Sequence, residues 1–546
     1  MWPLKAHYCL WFGAHSGVLP YLAVFLRTHL NASATTVGTL YCVLPFVVSI
    51  VKPIACSAAD HYGKHSQALL ISQILTFFGY GLLAAIPFIL EYIPLHILLY
   101  GFCFLALLAN TSMGVGISLT DFLVINEVKL VNQHGGNTNY GAVRIWGTIG
   151  FGIFGILVGI INENSPSLPY LIPGLFIFIA TEILDIICIY RFYHLKQTKL
   201  PADSITNDHD NVDYHTPNGQ YSDSLEMDSE PYGPTVTTQY NAQSLSLWNR
   251  IRIGVKQAAS TSIDTLFQIL RIYYRYPSLI QYTLIVFCFG ILTAFHWSFF
   301  FWFIQDIRGQ DSLLMGLCIF VNSFLGEIPV FLVAYRIIQW VGPIFSLCIS
   351  LLAFALRYLC YGYLLKKEYG KYWDVLLIET LQGLTFSLFY TVMTHIAQMY
   401  ADKCEKIFAI NEIPSSSLES NSNDRVASLR NLASSRESSI DDEAEGEFES
   451  NMSGQSKMNS LRSKSRIPTS KKIVKPSALM QGLMSACYEG LGLGVGSLLG
   501  GFLIEYFDVG SIWRIAGFFS LALVALNVVI EAIKFVYKKR RNQPLI

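Results

Sequence analysis

Charge is scarce in this sequence: only 14% of its 546 residues are Asp, Glu, Lys or Arg, against 52% apolar residues. Soluble proteins carry about 25% charged residues, so an ordinary water-soluble domain is excluded. Several chemical signatures are missing as well. There is no GxxxxGK[ST] loop to cradle nucleotide phosphates, which argues against an ATP-driven pump, and no HExxH, CxxC or GxSxG, which leaves an enzyme without positive support. No cofactor and no nucleic-acid partner is expected. Of the 11 cysteines, all but Cys404 lie inside apolar stretches, so no extracellular disulfide framework is available.

What the sequence does contain is apolar runs long enough to cross a bilayer, for which roughly 20 residues suffice. Twelve are expected, over 7–27, 36–59, 67–90, 95–120, 141–161, 169–191, 277–304, 312–335, 341–365, 373–400, 477–505 and 511–537. The first is too long for a signal peptide and lacks a small-residue cleavage site, so it counts as a spanning helix. The fold class that follows is an all-α membrane protein of twelve transmembrane helices in two six-helix halves. The expected organisation is a first half over 1–191, and a cytosolic acidic linker over 192–276 with a membrane-proximal basic amphipathic segment. Helices 7–10 over 277–400, a cytosolic serine-rich loop over 401–476, helices 11–12 over 477–537 and a basic tail over 538–546 complete the chain.

The formal net charge of zero conceals a strong internal division. From Pro201 to Asn249 there are eight acidic residues and no Lys or Arg, a composition that cannot bury a core. Seven acids between Glu437 and Glu449 precede seven basic residues between Lys457 and Lys475. That basic run, 457–475, sits where anionic lipid is the expected partner, each Lys or Arg there being worth about 1 kcal/mol. Lys538 to Arg541, the run before helix 11 and Arg191, Lys196 and Lys199 fall on one side, which predicts cytosolic termini in a plasma membrane or endomembrane. Lys366, Lys367 and Lys371 argue the other way. The sequon at Asn31 in the first outside loop is a candidate glycosylation site.

Two halves separated by a linker invite a search for a repeat. "TTVGTLYC" entering helix 2 echoes "SLLMGLCI" entering helix 8, and glycine-rich helix 5 echoes the "EGLGLGVGSLLGG" of helix 11. Small residues of this kind allow helices to approach closely.

The loop "KPIACSAADHYGKHSQALL" between helices 2 and 3 resembles the signature loop of the major facilitator superfamily, with Asp60, Gly63 and Lys64 in the expected places and Cys56 and His61 departing from it. "GVLPYLAVFLRTH", "YGAVRIWGTIGFG", "FHWSFFFW", "ETLQGLTFSLFY" and "MQGLMSACYEGLGLGVGSLLGGFLIEYF" are similar to the branch that holds bacterial sugar and nucleoside proton symporters, lactose permease among them, and an animal group of the domain-containing protein 6 type. The resemblance covers the spans and not the polar linkers. It implies a carrier that moves a small polar organic solute, sugar-like or nucleoside-like, by alternating access, with proton coupling or facilitated diffusion both open. The alternative is a surface receptor or adaptor that kept the fold without transport. It also implies a gating role for Asp60, Gly63 and Lys64.

Ionisable groups inside a span cost several kcal/mol and usually face a bundle interior or an aqueous cavity. Asp121 and Glu127 on helix 4, Arg144 on helix 5, Glu327, Arg357, Glu379, His395 and Glu489 are such groups. By the resemblance, Arg144 stands where the sugar symporter has an arginine that binds sugar hydroxyls with a helix 4 carboxylate, here Asp121 or Glu127. Snorkelling of Arg144 to lipid phosphate is the other reading. His296 and Trp297 on helix 7 are further substrate-binding candidates, with simple packing as the alternative for Trp297. Arg357 is similar to the symporter's helix 9 arginine, while the helix 10 positions that carry its lysine, histidine and glutamate read Glu379, Gln382 and Thr385. Ion coupling is therefore expected from Glu327, Arg357, Glu379 or Glu489, unless these form a buried ion pair or helix-packing contacts. Oligomeric state is left open.

Overall fold

A computed structural model describes residues 1–136, 138, 140–165, 167–198, 272–276, 278–363, 372–411 and 476–541. Residues 199–271 of the acidic linker, most of the serine-rich loop, the basic run 457–475 and Lys366, Lys367 and Lys371 lie outside the described residues, while 192–198 continue the sixth span as helix.

Eleven helical stretches are long and apolar enough to cross a membrane: α1 Trp2–Leu30, α2 Ala34–Cys56, α3 His65–Ile89, α4 Leu95–Gln133, α5 Tyr140–Glu163, α6 Ile172–Phe192 and α7 Ser278–Arg308 are followed by a 52-residue stretch, Ser312–Tyr363, and by Asp374–Lys403, Met480–Tyr506 and Gly510–Tyr537. The 52-residue stretch is two spans. Gly342 adopts φ 78°, ψ 164°, and the proline after it cannot continue a helix hydrogen-bond ladder. We number its parts α8 (312–341) and α9 (343–363), and the last three α10, α11 and α12. The twelve expected spans are therefore present, and the chain is a multi-pass integral membrane protein.

Several boundaries differ from expectation, among them the start of α1 at Trp2 and the helix of the tenth span, which runs on to Asn411. Helix α4 does not end near 120 but continues to Gln133, so Asp121 and Glu127 lie on helix rather than near a loop, and most of "NEVKLVNQ" is helical. The helical period persists through Val124 and Val128, both buried, until Gly135 at φ 81° ends it. Helix α2 likewise runs on to Tyr62, where Gly63 at φ 63° turns the chain into α3. Gly63 and Gly342, each at positive φ, thus stand at corresponding connections in the two halves, between α2 and α3 and between α8 and α9.

Packing repeats as well. Helix α1 lies against α5 and α6, α3 against α4 and α6, and α2 against α4; in the second half α7 lies against α11 and α12, α10 against α8, and α9 against α12. The halves are joined by α5 against α8 and by α2 against α11. Each joint is a glycine crossing. A Cβ built on Gly159 would lie 2.9 Å from Gly316 Cα, and one on Gly501 would lie 3.1 Å from Gly38 Cα, so a side chain at either place would force the helices apart.

Candidate functional site

The helix ends opposite the chain termini are sealed. Arg27 at the end of α1 reaches 2.5 Å to Asp306 at the end of α7, and its guanidinium stacks 4.6 Å over Trp302. Gln305 donates to Thr28, the Ser312 amide donates to Glu163, and Thr35 donates to Glu505, each bond crossing from one half to the other. Asn31 caps α1 in the left-handed region and is exposed at this same end.

On the terminal side of that seal, charged groups from both halves converge. Asp121 of α4 accepts hydrogen bonds from Tyr8 at 2.6 Å and Tyr140 at 2.9 Å. Arg144, one turn into α5, lies 4.1 Å over the Phe12 ring and 5.6 Å from that of Tyr8. Tyr8 therefore touches both charges, and Arg144 rests on α1 inside the bundle. Across from it, Glu327 of α8 is within electrostatic reach of both Arg144 and Arg357. Tyr390 of α10 is within reach of Arg144, Asp121 and Glu489. Asp121, Arg144, Glu327, Tyr390 and Glu489 are all half-buried. Glu489 accepts from Ser485 one turn earlier on α11 at 3.0 Å.

Behind this wall the second half holds a closed polar network. Arg357 of α9, fully buried, donates Nη2 to Glu379 Oε2 at 2.7 Å, Nε to the Tyr361 hydroxyl at 2.7 Å and Nη1 to Gln382 and to Thr385. Tyr361 in turn donates to Glu379. His296 Nε2 sits 3.0 Å from Arg357 Nη2, and Gln382 donates at 3.4 Å to Glu327. A continuous path of contacts thus runs from Glu327 to the buried Arg357–Glu379 pair. The neighbouring Trp297 keeps 44% of its surface exposed and meets Phe386 at 5.8 Å. His296 and Trp297, adjacent in sequence, therefore have different surroundings: the imidazole belongs to the arginine network, and the indole is open.

Local backbone supports this arrangement. Asn322–Glu327 of α8, Gly383–Leu388 of α10 and Ala486–Gly492 of α11 are π-helical. Such a wider turn re-aims the side chains it carries and is common at functional sites. Glu327, Thr385, Phe386 and Glu489 all lie in these segments. Asp60 lies in the last turn of the helix before Gly63, and its side chain is outside the described residues; Lys64 is exposed. His395 packs edge-on against Tyr335 at 6.3 Å, away from the converging charges.

Sequence reasoning passed over the tyrosines. Tyr8, Tyr140 and Tyr361 bond the very carboxylates it named, and the spacing of Tyr361 four residues after Arg357 was a readable signal, since i and i+4 share a helix face. It also passed over Glu182 and Asp185, three residues apart in the middle of α6, although the rule that found Glu379 applies to them.

Twelve helices in two halves, joined by glycine crossings and enclosing converging charges, are the architecture of a membrane carrier. The MFS_1 like family matches residues 1–406, and the chain belongs to that family. It is 27% identical over 157 residues to the maltose permease of Geobacillus stearothermophilus, covering 29% of this chain and 36% of that protein. To the uncharacterized transporter YwbF of Bacillus subtilis (strain 168) it is 25% identical over 164 residues, 30% of this chain and 37% of that one. These alignments span little more than a third of either relative. Among solved structures, the nucleoside transporter NupG aligns over 97% of this chain and 98% of its own with TM-score 0.56 at 12% identity. The peptide transporter POT, an E310Q mutant in complex with alafosfalin, aligns over 97% and 94% with TM-score 0.56 at 11% identity. Both share the fold.

Proposed function

We propose that this protein is a membrane carrier that moves a small polar organic solute through the space between its halves by alternating access. The observation that carries the reading is that half-buried charged side chains stand on both sides of the joint between the halves, Arg144 and Asp121 in the first and Glu327 and Glu489 in the second, where Gly152 of α5 lies against Ser323 and Phe324 of α8. A solute bound there touches both halves and favours whichever arrangement lets it touch both at once, which is the physical basis of alternating access. Arg144 presents a planar fork suited to paired hydroxyls or a carboxylate, Asp121 accepts hydroxyl donors, and Trp297 offers a ring face for stacking against a sugar or base. The substrates named for the maltose permease and the nucleoside transporter support a sugar-like or nucleoside-like solute.

An ion gradient is the energy source we favour, with the carboxylates of Glu327 and Glu379 as the candidate proton carriers, linked by the hydrogen bonds of Gln382 and Arg357 that hold them in place. The basic residues near span ends support cytosolic termini, which puts the sealed end outside and the opposite end towards the cytosol. On this orientation Asn31 lies on the glycosylated side, and the run 457–475 lies at the anionic leaflet.

The test is an uptake screen with purified protein in liposomes over sugars, nucleosides and small organic ions, each with and without an inward proton gradient. Flux of at least one class above protein-free liposomes is expected. Binding of a solute with no flux would overturn the carrier reading in favour of a receptor.

A further inference from the structure

The first half encloses a second set of ionisable groups, away from the space between the halves. His7 of α1 places Nδ1 2.8 Å and 3.0 Å from the two carboxylate oxygens of Asp185 on α6, and its Nε2 lies 3.0 Å from Thr120 of α4. Gln73 of α3 donates to Asp185 at 2.5 Å. Three helices thus meet at one carboxylate, α4 joins them through His7, and every member is buried. Glu182 precedes Asp185 by three residues on the same face of α6, with 0% of its surface exposed. Among the described residues, neither of its carboxylate oxygens has a hydrogen-bond partner, and the Gln73 Oε1 and the Trp11 indole nitrogen are likewise buried and unpartnered. Trp11 stacks on His7 at 5.3 Å, and Gln73 bonds Asp185, so these unpartnered atoms belong to the same seam.

Charge accounting follows from the neighbours. From α1 come His7 and His15, the latter donating Nδ1–H to the Trp11 carbonyl at 2.7 Å; from α3 come Gln73, Thr76 and Tyr80, from α4 Thr120, from α5 Asn162, and along α6 Asp185 and Cys188. None is Lys or Arg. A protonated His7 beside an ionised Asp185 forms a neutral pair, which leaves Glu182 without a cation. An ionised carboxylate buried with neither cation nor donor costs several kcal/mol. As the neutral acid, Glu182 carries no charge that burial would penalise.

We propose that Glu182, together with Asp185 and His7, is a proton-binding site of the first half, separate from the Glu327 to Glu379 path and loaded and unloaded as the protein changes conformation. The step is a simple protonation: the Glu182 carboxylate takes a proton from water to become the acid and returns it, with no other bond made or broken. Its role in a transport cycle rests on the carrier reading, whereas binding of the proton does not.

Infrared difference spectra of the purified full-length protein between acidic and alkaline buffer test it. A band from the carbonyl stretch of a protonated carboxylic acid is expected to fall as pH rises, to be lost in Glu182→Gln, and to return at a shifted position in Glu182→Asp. Glu182→Gln keeps the shape of the neutral acid, so its thermal unfolding temperature at acidic pH is expected to equal that of the unsubstituted protein, which certifies a folded sample. Identical spectra for Glu182→Gln and the unsubstituted protein would overturn the proposal. So would a Glu182 band that stays constant over the whole pH range in which the protein is folded, or one that sodium chloride removes at fixed pH, which would make the site one for a metal cation. None of these outcomes depends on whether a transported solute has been found.

Discussion

In the second half, Arg357 uses all three guanidinium nitrogens, on Glu379, Tyr361, Gln382 and Thr385, and the buried charge is answered on every side. In the first half, Glu182 is as deeply buried and has no hydrogen-bond partner among the described residues. The backbones differ in step. The π-helical segments among the described residues lie in α8, α10 and α11, all in the second half, while the helices that carry His7, Gln73, Thr120 and Asp185 are regular α-helix there. Two halves built on one packing plan thus handle charge differently. A guanidinium with a full set of acceptors is a fixed structural charge. A carboxyl without donors is held in place by nothing but its proton.

The largest effect is expected at the boundary between the halves. Arg144→Lys keeps the positive charge and loses the planar fork, and should reduce flux in proteoliposomes to the level of protein-free vesicles while leaving expression and unfolding temperature near those of the unsubstituted protein. Normal transport by this variant would remove Arg144 from solute binding and leave the aromatic stacking on Phe12 as its whole role.

The next effect sharpens the contrast between the two buried acids. Glu379→Gln strips the partner from a buried arginine and should destabilise the protein by about 3–5 kcal/mol, as breaking a buried pair from one side does. Pairing it with Arg357→Met should recover most of that loss, whereas Glu182→Gln alone should cost nothing in acid. Chemical unfolding in detergent measures all three. Equal losses for Glu379→Gln and Glu182→Gln would show that the two acids are held in the same way.

The smallest effect concerns the seal. Arg27 and Asp306 are 33% and 26% exposed, so Asp306→Asn should change stability by only about 0–1 kcal/mol. It should still shift the protein towards the arrangement open at that end, read as faster labelling of a cysteine placed at Gln305. Unchanged labelling would mean that the glycine crossings hold the seal without the ion pair.

Much of the fold was readable because bilayer thickness fixes span length, and because polar linkers and basic flanks mark where spans stop. The eighth and ninth spans, expected over 312–335 and 341–365, were already separate in the sequence, and Gly342 at positive φ followed by Pro343 places the turn at that boundary. The candidate site was readable as a set of charges out of place in apolar helices, which identified Asp121, Arg144, Glu327, Arg357, Glu379 and Glu489. Of their partners only Tyr361 was readable, from its place four residues after Arg357; Tyr8 and Tyr140 were not, because a tyrosine in a membrane span raises no suspicion by composition, and a π-helical turn has no sequence mark as plain as a proline. Glu182 and Asp185 were within reach of the same rule. His7, close to the chain start, becomes meaningful only when α1 packs on α6 and brings it to Asp185.

The glycine crossings have a consequence for speed. Where Gly159 meets Gly316 and Gly501 meets Gly38, backbone lies against backbone, and the joint contains no side-chain rotamers to order when it closes or to release when it opens. An interface of long side chains would add up to about 2 kcal/mol of rotamer entropy for each residue immobilised, and glycine adds none. If the halves move apart as the proposed carrier requires, these glycine contacts separate and re-form without waiting for side chains there to find one another. The balance between the two arrangements is then left to the side chains that bond across the halves, among them Arg27, Asp306, Gln305, Thr28, Thr35, Glu163 and Glu505, and to whatever solute binds near Arg144.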